Sequence, residues 1–231
     1  RSYTADETSW RELDDLIRRS AFEFAVKWLK PMGKKLLGLA EGNHYYTFQS
    51  GETDTQYMCQ ILNVPYLEKP CFARLNVHIK SFQKDAVLKV LLHHGDWTAG
   101  YTKAGGDLNA IESKGEGFIF DLYIFSHTHR KLGHKSPTLT IPEHGELRTI
   151  EIPRVFIRTG CFTATYDKCI TTYAQKKLLK PTDLGYVVIQ VKFERKYEPE
   201  LYQRRRQEGW TRQSASSSAM SKLSHKFSVI T

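Results

Sequence analysis

No stretch of the 231 residues runs 18 apolar positions, so the sequence holds no segment long and apolar enough for a membrane-spanning helix. The densest apolar runs, residues 86–92 and 118–125, have the length of strands. Cysteine is scarce. Cys59, Cys71, Cys161 and Cys169 include no C-x-x-C pair. Four thiols would allow two bridges, but a chain able to bury a large core does not need them. The expectation is therefore structural thiols in a reducing, cytoplasmic compartment. No internal repeat appears at solenoid periods. Hydrophobic residues make up 40% of the chain, which excludes a collagenous, broadly disordered or disulfide-stapled class. The chain opens on Arg1 and not on Met, so the lack of a leader sequence carries no information.

Charge is abundant, with Lys and Arg outnumbering Asp and Glu by 34 to 25 for a net +9. It is unevenly spread. Between Gln203 and Thr231 six basic residues face one acid, so that segment carries +5, more than half of the excess. A basic end can engage phosphate backbones through charge alone. Residues 214–218 are nearly pure Ser and Ala. The composition predicts one domain over residues 1–200, followed by a basic, disordered Ser/Arg/Gln-rich tail over 201–231.

Periodicity predicts an opening helix, capped by Asp6 or Thr8 and stopped by Pro31 and Gly33. Its helically spaced apolar residues are Trp10, Leu13, Leu16, Ile17, Phe22 and Phe24. A short buried strand over residues 36–40 ends in the turn Glu41-Gly42-Asn43-His44. A second helix is expected over 54–62, strands over 72–79 and 86–93, a short helix over 107–113, and a strand over 118–125. The later segments 147–152, 155–159 and 186–193 read as strands with little helix between them. Strand–helix alternation followed by strands argues for an α/β fold whose ligands bind at the carboxyl edge of the sheet.

Three polar clusters each follow a predicted buried strand. They are Gly42-Asn43-His44, His93-His94-Gly95 and His127-Thr128-His129. Loops held by rigid strands are where active-site groups concentrate. Neutral imidazole is a ligand for Mn, Fe, Ni and Zn, and the Asn43 carbonyl oxygen is a hard ligand. The H-x-H pair, His127 and His129, is read as suited to two neighbouring ions better than to one. A lone His after a strand is ordinarily a hydrogen-bonded turn residue. His78, His134, His144 and His225 keep that structural reading. Three clusters in this order are harder to set aside.

The ordered set G-N-H, H-G and H-x-H resembles the calcineurin-like metallophosphoesterases. The likeness spans residues 35–190 and rests on Leu39-Ala-Glu-Gly-Asn-His44, Val90-Leu-Leu-His-His-Gly95 and Asp121-Leu-Tyr-Ile-Phe-Ser-His-Thr-His-Arg130. Softer echoes of a phage and prokaryotic branch lie in the segment from Gly100 to Asn109, in Arg158-Thr-Gly-Cys-Phe162, and in Tyr173-Ala-Gln-Lys176 with Pro181 and Gly185. The resemblance implies a four-layer αββα sandwich and a metal-dependent hydrolase of phosphomonoesters or phosphodiesters. Its water nucleophile would be activated by two divalent ions drawn from Mn, Fe, Ni and Zn. By the same resemblance Asn43, His94 and His127 would bind one ion and His129 the other. His44 would act at the leaving oxygen, as general acid or by stabilising developing charge. Some relatives use the first residue of a His-His pair, which keeps His93 as the alternative to His94.

The chain also departs from that pattern. The family's D-x-H and G-D-x-x-D motifs, which supply first-metal ligands and the bridging carboxylate, are absent. Asp6, Asp14, Asp15 and Glu41 precede Asn43, but none lies in a G-D-x-x-D frame. The chain is therefore expected to be N-terminally incomplete and to lack the first strands of the sandwich. Tyr45 follows G-N-H where the family places an acid, and Ser126 stands where it places Gly. Asp96 is expected to be a solvent-exposed turn residue. Two further functional readings stand beside hydrolysis. One is a degenerate binding or scaffold protein that kept the fold without the chemistry. The other is a nucleic-acid-binding module acting through the basic tail. The expected partners are a phosphoester substrate, nucleotide or nucleic acid included, and no membrane.

Overall fold

The structure, a computed structural model of the chain, describes residues 7–80, 84–95, 104–140, 150–169, 171–182, 184–197 and 221–230. It is a mixed α/β protein that divides into two compact units. One comprises Arg1–Cys71 with Leu92–Asp96, and the other Phe72–Leu91 with Trp97–Thr231. No described helix is long and apolar enough to cross a membrane.

The first unit opens with α1 (Glu7–Leu29), as its periodicity and the Pro31 stop predict. The face that packs is not the one expected. Val26 is buried and Phe22 meets the Phe48 ring edge-on at 6.3 Å, while Trp10, Leu13, Leu16, Ile17, Phe24 and Trp28 are exposed. Asp15, Arg18 and Arg19 share the packed face, because its partner is the polar-aromatic loop after His44. The predicted strand over 36–40 shrinks to β1 (Leu39–Ala40). α2 (Asp54–Leu62) keeps its expected bounds because both ends are closed. Thr53 Oγ1 accepts the Gln56 N–H at 3.2 Å, and Gln56 Oε1 accepts the Thr53 N–H at 2.9 Å, a reciprocal capping box. Asn63 ends the helix in the left-handed region at φ 52°. A short β2 (Tyr66–Leu67) pairs in parallel with β1.

The second unit is built on a five-stranded sheet. Its strands are β3 (Cys71–Ile79), β4 (Lys84–His93), β5 (Leu122–Phe125), β6 (Lys131–Lys135) and a later strand over Val155–Thr159. α3 (Ala104–Gly115) connects β4 to β5. A two-stranded pair, β7 (Thr138–Thr140) and β8 (Ile150–Ile152), precedes β9 (Val155–Thr159). The order is β3-β4-β5-β9-β6, with β5 parallel and β6 antiparallel to β9.

Period-2 alternation sorts the sheet's side chains onto two faces. Leu88, Val90, Leu122, Val155 and Ile157 form one buried cluster. Leu91, Tyr123, Phe125 and Phe156 point the other way and pack with Ile111 of α3. The chain then passes through a short α4 (Tyr173–Lys176) to β10 (Val188–Tyr197). Ile189, Val191 and Phe193 of β10 cover the first cluster, so unit two layers as helix, sheet and β ribbon.

Two expectations are corrected. Residues 118–121 are not strand. Tyr123 Oη donates to the Phe118 carbonyl at 2.6 Å and accepts the Phe120 N–H at 3.0 Å, which folds that run back around the ring. The end of the chain is not a tail throughout either. Residues 201–220 lie outside the described residues, but β11 (Ser221–Ile230) pairs antiparallel with β10 over ten positions, with Val191 opposite Phe227 and Ile189 opposite Val229. Val229 packs on the core cluster. Ser and Lys dominate the composition there and hide the alternation of Leu223, Phe227 and Val229.

Candidate functional site

In the first unit the parallel pairing of β1 delivers the chain into Gly42-Asn43-His44, and the end of β4 delivers His93 and His94. Asn43 Oδ1 lies 2.8 Å from His94 Nε2, which joins two motifs 51 residues apart in sequence. The His94 ring lies beside Gly42, where a Cβ would stand 3.4 Å from His94 Cε1, an ordinary van der Waals contact. His93 Nδ1 accepts the Gly95 N–H at 2.8 Å. Asn43 and His44 are exposed.

The loop after His44 is tied down from both helices. Tyr46 Oη donates to Asp15 at 2.7 Å and to Asp14 at 2.9 Å, and Asp15 also accepts the Gln49 N–H at 2.9 Å. The Tyr46 bond first and the Gln49 bond next hold the Asp15 carboxyl below its usual range, while the Asp15 bond, then burial and the Asp14 bond, push the Tyr46 phenol far above its own. Arg18 sits over the Tyr46 ring at 4.1 Å and Arg19 over Phe48 at 4.2 Å. Asp54, buried at the start of α2, accepts the Tyr46 N–H at 3.2 Å. Asp14 and Asp15 are thus engaged in fastening the turn. The exposed Tyr45 brings no charge there.

In the second unit the loop after β5 carries His127 and His129. The chain is not extended at this pair. Both adopt left-handed backbone, φ 73° and 59°, with Thr128 between them. The Thr128 N–H closes the turn onto the Ser126 carbonyl at 2.9 Å. Left-handed backbone is uncommon for a residue with a side chain, and pairs of it mark segments fixed by their surroundings. His127 is half-buried and His129 exposed.

Against this loop lies a feature sequence reasoning missed. Arg158 of β9 and Asp107 of α3 are both fully buried and ion-paired, with Arg158 Nη2 and Nε 2.7 and 2.9 Å from Asp107 Oδ1. Arg158 Nη1 donates to the Ser126 carbonyl at 2.6 Å, and Thr128 Oγ1 donates to Asp107 Oδ2 at 3.2 Å. Burial pulls the guanidinium below its ordinary value, and Asp107 pulls it back up. The flanks are held too. Ser126 Oγ and Thr159 Oγ1 are 3.0 Å apart, and the Arg130 carbonyl accepts the Gly160 N–H at 2.9 Å. Gly160 sits at φ 81°, where a Cβ would come within 2.6 Å of the Gly185 carbonyl. Both glycines belong to the softer family echoes, as do Asp107 and Arg158, and that shared membership was the available signal.

The remaining expectations fall as follows. His78 lies 2.7 Å from Asp85 on the exposed β3–β4 segment, and His134 lies 3.9 Å from Glu112, both away from the candidate motifs in sequence. His225 is in β11. Asp96, residues 97–103 and His144 lie outside the described residues, as do the tail arginines Arg204, Arg205, Arg206 and Arg212. Among the described residues no three His, Cys, Asp or Glu side chains gather as a metal-holding group. The fit to a divalent ion therefore rests on the Asn43–His94 pair, whose oxygen and nitrogen converge with the chemistry such an ion takes. Comparison with protein-family models, with curated proteins and with solved structures finds no match for this chain.

Proposed function

We propose that the chain is a metal-dependent phosphoester hydrolase of the calcineurin-like metallophosphoesterase type. The observation that carries the reading is the 2.8 Å contact between Asn43 Oδ1 and His94 Nε2, because it joins the G-N-H and H-G motifs by atoms able to ligate a metal. Two further observations support it. The H-x-H loop is held in a doubly left-handed turn from beneath by buried charge. Unit two stacks helix, sheet and β ribbon, an order compatible with part of an αββα sandwich.

Asn43 and His94 are the residues of the first unit that would hold a divalent cation, and His127 and His129 those of the second. Such an ion, when bound, polarises a phosphoryl oxygen and acidifies water. The chain's own contribution is positional. The Tyr46–Asp15 and Asp54 contacts keep the G-N-H turn in place, so that exposed His44 can donate a proton to a leaving oxygen. On this reading the substrates are phosphomonoesters or phosphodiesters, nucleotides and nucleic acids among them.

Supplied with Mn²⁺, the chain is expected to hydrolyse bis(4-nitrophenyl) phosphate, and EDTA is expected to abolish the reaction. No turnover above a protein-free control with Mn²⁺, Fe²⁺, Ni²⁺ or Zn²⁺ would contradict the proposal. One observation favours a second reading, a scaffold without chemistry. The two aspartates nearest upstream of the turn are committed to Tyr46 and Gln49, and no G-D-x-x-D carboxylate stands in for them. Chelator-sensitive turnover rules that reading out.

A further inference from the structure

We propose that Asp107 and Arg158 are positioning residues for His127 and His129, a buried clamp that sets the shape of the H-x-H turn. The proposal rests on the phosphoesterase reading only for what the two histidines then do.

The geometry is specific to the turn. Arg158 lies near the end of β9, between β5 and the edge strand β6, with Phe125 of the parallel β5 opposite it. Its Nε donates to Asp107 Oδ1, its Nη2 stands 2.7 Å from the same oxygen as an ion pair, and its Nη1 donates to the carbonyl of Ser126, the residue before His127. Asp107 uses its second oxygen on the hydroxyl of Thr128, the residue after His127. The pair thus grips the chain on both sides of His127, from two elements that are themselves packed, β9 and α3. A pair needed only to hold α3 on the sheet has no reason to reach Ser126 and Thr128. Apolar contacts already perform that task, since Ile111 of α3 is buried among Tyr123, Phe125 and Phe156.

Burying two charges is costly even when they are paired, and apolar residues of similar volume commonly support a fold as well or better. A buried ion pair is therefore poorly explained by stability alone. What the charges supply and apolar groups cannot is direction: a short charge-assisted bond to a carbonyl and an acceptor for a hydroxyl, each at a fixed point of the turn. Backbone that is left-handed at both histidines returns toward commoner conformations once those bonds are removed. Groups that orient ligating histidines have effects of about 10- to 100-fold on metal affinity in general.

The test is the double variant Asp107→Leu with Arg158→Met, which removes both charges together and leaves neither one buried alone. Thr128→Val is the companion variant. It deletes only the hydroxyl contact and leaves the ion pair in place. Two readouts are taken by NMR on the full chain: backbone order parameters at His127, Thr128 and His129, and the Mn²⁺ concentration that broadens the His127 and His129 signals. In a cooperatively melting variant, order parameters are expected to fall from the rigid value of about 0.85 to below about 0.6. The Mn²⁺ midpoint is expected to rise by about 10-fold. A pair that only stabilises the fold would lower the melting temperature and move neither readout. Unchanged order parameters at these three positions in a folded variant overturn the clamp. Wild-type signals indifferent to Mn²⁺ would instead count against the metal-dependent reading, and the order parameters would still decide the clamp.

Discussion

Replacing His127 by alanine is expected to lower Mn²⁺-dependent phosphodiester hydrolysis by at least about 100-fold, beyond the range typical of residues that merely orient ligands. The fold should survive, because His127 belongs to neither buried cluster. Its loop is anchored through Ser126, Thr128 and Arg130, and those bonds do not use the imidazole. The melting temperature is expected to stay within a few degrees of wild type. His78→Ala serves as the control, since His78 is an exposed residue bonded to Asp85. Activity of His127→Ala within two-fold of that control would remove the loop from the site.

The second large effect is on stability. Phe156→Ala is expected to destabilise the second unit by about 3–5 kcal/mol, the usual cost of truncating a large buried aromatic. Phe156 is fully buried, its ring stacks on Tyr123 at 4.3 Å with planes 15° apart, and Arg154 covers it at 5.4 Å. The end of α3 abuts the same ring. A Cβ on Gly115 would lie 2.6 Å from Phe156 Cε1, so there is no slack through which the helix closes the void. Loss of the ring should also loosen α3, and with it Asp107. Urea unfolding measures the effect, and a loss below about 1 kcal/mol would contradict the packing described.

Those two residues differ in how visible they were beforehand. Phe156 stands in a run, Val155–Thr159, whose apolar density marks a buried strand, and the strand forms with the expected bounds. α2 and β3 were legible for the same local reasons, a capping pair and a strict alternation. The G-N-H, H-G and H-x-H clusters were legible as motifs, each at the end of a strand. The Asn43–His94 contact was not, because pairing across 51 residues depends on the tertiary fold. Nor was the turn at His127 and His129. Left-handed backbone there follows from Arg158 and Asp107 beneath it, which periodicity cannot register. α1 illustrates a different limit. Its helical pattern is sound, but a pattern does not say which face finds a partner, and Trp10, Leu13, Ile17, Phe24 and Trp28 remain exposed. β11 failed through composition, since a Ser- and Lys-rich strand reads as a tail until its partner β10 is known. Deleting residues 203–231 would remove that strand, so such a truncation does not test the basic charge by itself.

The most direct test of the central claim is the metal content of the purified chain. It is prepared without chelator, exposed to Mn²⁺, desalted and measured by elemental analysis beside His94→Ala and His127→Ala. The account predicts at least one Mn²⁺ per wild-type chain and a clear loss in both variants. No Mn²⁺ above a protein-free blank, or equal content in all three proteins, would contradict it.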